Sequence, residues 1–339
     1  MGFGPVVLFD KSAFQALSND DHAELGGVFN YNVAPILVYE VLADLAKAGE
    51  DRAAKVAGLA EKFGGTGDAV NVATAALMAS ELEGSAIPMS GQIVINHAQR
   101  VIDRNGNAGM LIDPHPLNWL VLRLSQGLAE NEDKALATEW RANIAELDLV
   151  AFVAAMTNAG SPLPSVKTVE ALASTVDELM SKPESQRAWL RWLLRTVNAP
   201  EPIRLAAFTR WRGSGQPLLR QFLPYSAHCL RALLALAVGV ESKVLTQRPT
   251  NLLDIQYLMY LPFCSVFVSD DRLHRQIAPA LLRSDQRMHG SNEIRAGVES
   301  HRAPTPGGLL HEIWRQYCRG EPPLSIAAKK RGDVRPLRF

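Results

Sequence analysis

Apolar residues fall into two kinds of run along this chain. Short unbroken blocks, Val6–Phe9 and Val266–Val268, suit strands buried on both faces. Residues 29–35 form a third block, brief and low in charge, and predict another strand. Other stretches repeat their apolar positions near a helical period. Residues 11–17 place Phe14 and Leu17 on one face, after which Asn19, Asp20 and Asp21 make a polar break and an N-cap. Residues 36–48 turn Ile36, Leu37, Val41, Leu42 and Leu45 inward. From Asn251 the pattern Ile255, Leu258, Met259, Leu261 predicts a helix that stops near Pro262, which cannot sit in a helix interior. Strand, helix, strand, helix at the front of the chain is the order of a right-handed parallel unit. The fold class expected is α/β: an open parallel sheet flanked by helices, with a large mostly α-helical insertion.

The intervening residues read as helices punctuated by loops. Residues 51–63 and 69–82 are Ala-rich and good helix formers. Gly64-Gly65-Thr66-Gly67 lacks the Gly-Lys-Ser/Thr ending of a phosphate-binding loop and reads as a plain loop. Asn105-Gly106-Asn107 is a turn signal joining strands at 92–101 and 109–112. Residues 113–116 break the chain before a helix at 117–127, and 161–164 form an internal linker. Residues 230–240 are too short to span a bilayer and predict a core helix. Residues 288–306 read as polar loop, 309–317 as a short helix. The tail after Pro323 is basic, with Lys329, Lys330, Arg331, Arg335 and Arg338 against Asp333, and is expected to be disordered. No internal repeat stands out.

Composition narrows this only a little. A chain of 339 residues can bury a substantial core. Thirty-five Lys and Arg balance thirty-five Asp and Glu, so a polyanion must be met by a local patch. Three widely separated cysteines, Cys229, Cys264 and Cys318, give neither a disulfide framework nor a zinc pattern and suit a reducing compartment. With no signal-peptide pattern at the start, a soluble cytoplasmic protein without membrane association is expected.

Acids stand where the strands end. Asp10 and Ser12 follow the first strand; Ser269, Asp270 and Asp271 follow the Val266–Val268 block; Glu40 lies early in the helix after the second strand; Asp254 opens the helix before Pro262. The C-terminal edge of an open parallel sheet is where ligands bind. Singly, an Asp after a strand is commonly a turn residue or helix cap, and a Glu in a helix is commonly solvated. Several acids at one sheet edge repel each other, and such an arrangement persists mainly where a cation neutralises it.

In order and placement these pieces resemble a PIN domain, a small α/β nuclease fold. The matching segments are VVLFDKSAFQAL, APILVYEVLADL and NLLDIQYLMYLPFCSVFVSDDRL. The resemblance covers roughly the first fifty residues and some forty near the C-terminus. It implies a PIN-like first half at 1–50, an insertion at 51–250, a second half at 251–288, and an extension with a basic tail at 289–339. It also implies Asp10, Glu40, Asp254 and Asp271 as catalytic, metal-facing acids, with Asp270 a further ligand. Ser12 and Ser269 become donors that fix carboxylate rotamers. The implied cofactor is Mg²⁺ or Mn²⁺, held by a few carboxylates and substrate phosphate. The implied reaction is phosphodiester hydrolysis, of single-stranded RNA. An antitoxin-like partner protein and oligomerisation are further expectations from some members. The two-hundred-residue insertion departs from the usual compact form. Two other readings stay open: a catalytically weak PIN-like module that binds RNA or protein, and a haloacid-dehalogenase-like phosphatase. The second normally wants another Asp where Ser12 stands.

Charge within the insertion is uneven. Residues 121–180 carry four Lys or Arg against nine Asp or Glu, whereas 181–240 carry nine against two. Arg187, Arg191 and Arg195 recur every four residues and share a helical face. With Trp189, Trp192 and Trp211 nearby, these and Arg210 and Arg212 suit phosphate neutralisation and base stacking on a single strand. The alternative is a solvated basic face above a Trp-containing core. Arg272, Arg275, Arg283 and Arg287 follow the acidic turn and suit phosphates or local acids equally. His274 is a candidate proton donor, but as a lone histidine it reads as exposed and incidental.

Overall fold

The computed structural model describes residues 4–49, 51–64, 70–94, 98–102, 108–112, 116–159, 162–303 and 307–330. The chain opens with β1 (Val6–Phe9), α1 (Lys11–Ala16), α2 (Asn19–Gly26), β2 (Asn30–Asn32) and α3 (Pro35–Leu42), which runs into a 3₁₀ turn at Ala43–Ala46. Then come α4 (Arg52–Gly64), α5 (Thr74–Glu83), β3 (Ala98–Ile102), β4 (Ala108–Ile112), α6 (Pro116–Ser125), α7 (Asn131–Ala145), α8 (Leu149–Ala159) and α9 (Ala171–Ser181). Next are α10 (Gln186–Thr196), α11 (Glu201–Gly213), α12 (Leu219–Phe222), α13 (Pro224–Glu241) and α14 (Asn251–Leu258). The chain closes with β5 (Val266–Val268), α15 (Arg272–Leu281), β6 (Arg287–His289), α16 (Ser291–Arg302), α17 (Leu309–Tyr317) and α18 (Ile326–Lys330).

Four strands form one sheet in the order β2-β1-β5-β6, and every pairing is parallel. The protein is therefore α/β, a parallel sheet flanked by helices. β1 and β5 meet at the centre although most of the chain separates them. Their side chains are apolar throughout and almost wholly buried, as a strand covered on both faces requires. The chain leaves β1 for β2 on one side and later returns to β5 on the other. The crevice outside the C-terminal ends of β1 and β5 is thus the topological switch point of the sheet.

The insertion is packed onto the sheet halves. One continuous apolar core runs from Phe9 and Val268 through Leu230 and Trp189 to Val298. Its axis is α13, whose Leu230, Leu234 and Leu236 are fully buried and which touches α5, α8, α9, α14 and α15. Each such leucine contributes about 1.5–3 kcal/mol relative to exposure, so the helix is not separable from its neighbours. Its N-terminus is capped from a distance: the buried Glu81 carboxylate accepts from the Tyr225 and Ser226 N–H groups at 2.9 and 2.7 Å. Among the described residues no helix is long and apolar enough to cross a membrane.

Several expectations are corrected. Residues 288–303, the described part of the expected polar loop at 288–306, are not a loop: β6 adds a fourth strand and α16 packs on α2 and α17. The positions Ile294, Gly297, Val298 and His301 that α16 buries are spaced for a helix face but diluted by charge. For the same reason the boundary at 288 falls inside β6. The break at 19–21 is a full helix, α2, capped by Ser18 in a reciprocal capping box with Asp21. Residues 98–102 and 108–112 do pair antiparallel as the turn signal predicts, although Asn105-Gly106-Asn107 itself lies outside the described residues, as do residues 65–69, 113–115, 160–161 and 331–339.

Candidate functional site

Sheet register sets the centre of the site. Phe9 pairs with Val268, and the Asp10 N–H donates to the Val268 carbonyl at 3.1 Å, so Asp10 stands level with Ser269. Asp10 and Asp271 each cap a helix: Asp10 accepts from the Ala13 N–H at 2.8 Å, Asp271 from the Leu273 and His274 N–H groups at 2.7 and 3.2 Å. Both tight turns aim their carboxylates across the sheet edge. Asp254 comes from α14 and Glu40 from α3, the helices that flank the switch point.

Asp10 is buried and heavily engaged. Ser12 Oγ donates to its two oxygens at 2.9 and 3.0 Å, Ser269 Oγ donates to Oδ2, and His274 Nδ1 lies 3.2 Å from Oδ2. Burial alone would push this carboxyl up. The hydrogen bond and charge of His274, helped by Ser269 and the Ala13 N–H, outweigh it and hold Asp10 below the ordinary carboxylate range. Ser12 and Ser269 thus stand where the sequence pattern puts them, as hydroxyl donors to Asp10. What Asp10 offers is a fixed negative charge rather than an open lone pair.

His274 corrects the sequence reading outright. It is 1% exposed, inside the acidic group. Its Nε2–H donates to the Asp254 carbonyl at 2.7 Å, while Nδ1 faces Ser269 Oγ at 2.7 Å and Asp10. Burial would lower its pKa, but the Asp10 hydrogen bond and charge, the Asp254 carbonyl and Asp271 raise it instead. Two further residues were not visible as site members. Tyr257 donates its hydroxyl to Glu40 Oε2 and packs edge-on against the His274 ring. Lys11 donates to the Glu40 carbonyl at 2.7 Å and pairs with Asp44 at 3.0 Å. The available signal was spacing: Tyr257 is one turn beyond Asp254, and His274 one turn beyond Asp271.

The four expected acids are within electrostatic reach of one another. Burial raises Asp254 to about 7; His274 opposes this, and Asp271, Glu40 and Asp10 add to it. Burial also raises Glu40, against the Tyr257 hydrogen bond and Lys11. No described residue donates a hydrogen bond to the Asp254 carboxylate, and none to Asp271 Oδ2. Asp254 and Asp271 together line a small cleft of about 30 Å³, with Arg248, Asn251, Arg272 and Gln276 around it.

No family model, curated protein or solved structure matches this chain. The site must therefore be read from its own chemistry. Among the described residues no three His, Cys, Asp or Glu side chains form a ready-made metal cage. The donor set nevertheless fits one hard divalent cation. Two carboxylates with unclaimed oxygens, repelling each other beside a water-sized space, are what Mg²⁺ uses when it keeps several waters.

Other expected residues are dispersed. Asp270 turns away from the acids to Arg275 at 2.9 Å and to Ser291, which corrects its reading as a ligand. Arg275 is correspondingly committed at the surface. Arg210 donates to the Leu82 and Glu83 carbonyls at 2.6 and 3.1 Å, closing the end of α5 where Gly84 takes a left-handed conformation (φ 114°). Its role as a phosphate contact is replaced by a helix cap. Arg187, Arg191 and Arg195 do share the exposed face of α10, over a fully buried Trp189. Arg212 and Arg272 are exposed.

Proposed function

We propose that this protein is a divalent-metal-dependent nuclease of the PIN type that hydrolyses phosphodiester bonds in single-stranded RNA. The observation that carries the reading is the meeting of Asp10, Glu40, Asp254 and Asp271, from opposite ends of the chain, at the switch point of a parallel sheet, with Asp254 driven to about 7. Asp254 and Asp271 would hold Mg²⁺ or Mn²⁺. Bound there, the ion would acidify a coordinated water and stabilise negative charge at the phosphate. Asp10 and Glu40 add negative charge behind it, fixed in place by His274, Ser269, Ser12 and Tyr257. Arg272, beside the cleft, suits an incoming phosphate, and the α10 arginines suit the strand beyond it.

The test is cleavage of a labelled single-stranded RNA by purified protein with Mg²⁺ or Mn²⁺. Activity should vanish with chelator and in Asp254→Asn, Asp271→Asn and Asp10→Asn. Equal cleavage by wild type and variants would overturn the reading. A second reading has its own support: the saturation of Asp10 by internal donors favours a module that binds RNA with little hydrolysis. Tight RNA binding without cleavage across several metals would select it.

A further inference from the structure

A second concavity, of about 420 Å³, opens at the far end of α15 from the acidic group. Ten helical residues rise about 15 Å; Asp271 caps one end of α15, and Leu281 and Leu282 line this pocket at the other. Pro224, Ala227, His228 and Arg231 recur at helical spacing and form its wall on α13, while Met180 of α9 extends the apolar lining. The volume lies within the range of small-ligand sites.

Its polar groups are of two opposite kinds. Arg220, Arg231 and Arg283 face one carboxylate, Asp177. Arg231 forks onto Asp177 at 2.6 and 2.7 Å, and Arg283 is held by Asp285 and the Met89 carbonyl. Arg220 is exposed on α12 with no charge or hydrogen-bond partner among the described residues. His228 donates its Nε2–H to the Leu258 carbonyl at 2.9 Å. Burial, with Arg231 and Arg283 nearby, lowers it to about 4, so it is neutral at pH 7. Its Nδ1 is then a lone pair to which no described residue donates.

A spare guanidinium calls for an anion, a spare imidazole lone pair for an N–H or O–H donor, and an apolar lining for a flat ring. Inorganic phosphate satisfies only the first. We propose that this pocket binds a nucleoside monophosphate. Its phosphate pairs with Arg220, its base lies on Met180, Leu281 and Leu282, and a ribose hydroxyl or base amino group donates to His228 Nδ1. Arginine suits the phosphate because its planar fork binds two oxygens at once.

The site is independent of the proposed nuclease chemistry, and its test contains no divalent metal. AMP, UMP, adenosine, uridine and inorganic phosphate are titrated calorimetrically into the full chain with EDTA at low salt. One nucleoside monophosphate should bind saturably at one site, more tightly than its nucleoside and than phosphate. Arg220→Glu should weaken it at least about tenfold, as expected for a lost charge-assisted pair, with an unchanged melting temperature because the side chain is exposed. Arg220→Gln, which keeps the stem and removes the charge, should act in the same direction. The proposal is overturned by no saturable binding, by equal affinity for phosphate and nucleotide, or by unaltered affinity in both folded Arg220 variants.

Discussion

Replacing Asp254 by asparagine should make the protein more stable in alkaline solution while removing the proposed nuclease activity. The Asp254 carboxyl is raised to about 7 from 3.8 by burial and by the neighbouring acids. Between those values the folded state binds a proton that the unfolded state has released, so stability falls as pH rises through this window and stays low above it. At about 1.4 kcal/mol per pH unit the gap sets a ceiling of about 4 kcal/mol. Partial solvent access to this half-buried group reduces that to about 1–3 kcal/mol. Asparagine forfeits the favourable interaction of a first-turn acid with the α14 dipole, about 0.5 kcal/mol, which is too small to reverse the sign. Urea unfolding of wild type and Asp254→Asn at pH 4 and pH 8.5 measures the effect. Near-equal stability at pH 4 and a gain of about 1–3 kcal/mol at pH 8.5 are expected. Mg²⁺ should stabilise the wild type at pH 8.5 and leave the variant unmoved. A variant less stable at pH 8.5, or shifted equally at both pH values, would refute the electrostatic reasoning.

Three other outcomes follow from the same contacts. Glu81→Ala strips the buried cap from α13 and leaves two N–H groups unpaired, so it should cost about 2–4 kcal/mol in urea unfolding, with Glu81→Gln recovering part of the loss. His274 has a raised pKa, so its stabilising contribution is complete below its ordinary 6.5 and is lost as pH climbs through the folded value; His274→Ala should lose more stability at pH 6 than at pH 9, and an equal loss would count against the Asp10 pairing. Changing Arg187, Arg191 and Arg195 together to Gln should leave stability within about 0.5 kcal/mol. It should also lower the salt dependence of single-stranded RNA binding by about 2 in the log–log slope, as measured by anisotropy; an unchanged slope would remove α10 from the RNA path.

The site was readable where its chemistry is local. Asp10 and Asp271 lie just beyond the C-terminal ends of the two buried strand blocks, so their edge of the sheet could be placed from those blocks alone, together with Ser12 and Ser269; that Asp270 turns away to Arg275 and Ser291 could not. His274 could not. In sequence it stands between Leu273 and Arg275 in an amphipathic, basic helix, and only the approach of α15 to β1 turns its ring onto Asp10. Arg210 failed for the opposite reason: its charge looked available until the end of α5 came to rest against it. β6 was missed because it buries no residue fully and carries Arg287 and His289, and α16 because its charged residues mask its buried positions; edge strands and covering helices carry weak apolar patterns.

Hydrophobic period and the residues that end each run determined by themselves the two central strands, the helices of strong apolar period, the parallel α/β class and the positions of the acids along the chain. Those features depend on each segment's own steric and solvation preferences. Tertiary structure alone decided which acids keep open oxygens, which cations are already spent on local partners, and that residues some 260 apart share one hydrogen-bonded cluster. Such outcomes depend on distances between segments, and an ionisable group's energy is set by whichever charges and dipoles folding brings within a few ångströms.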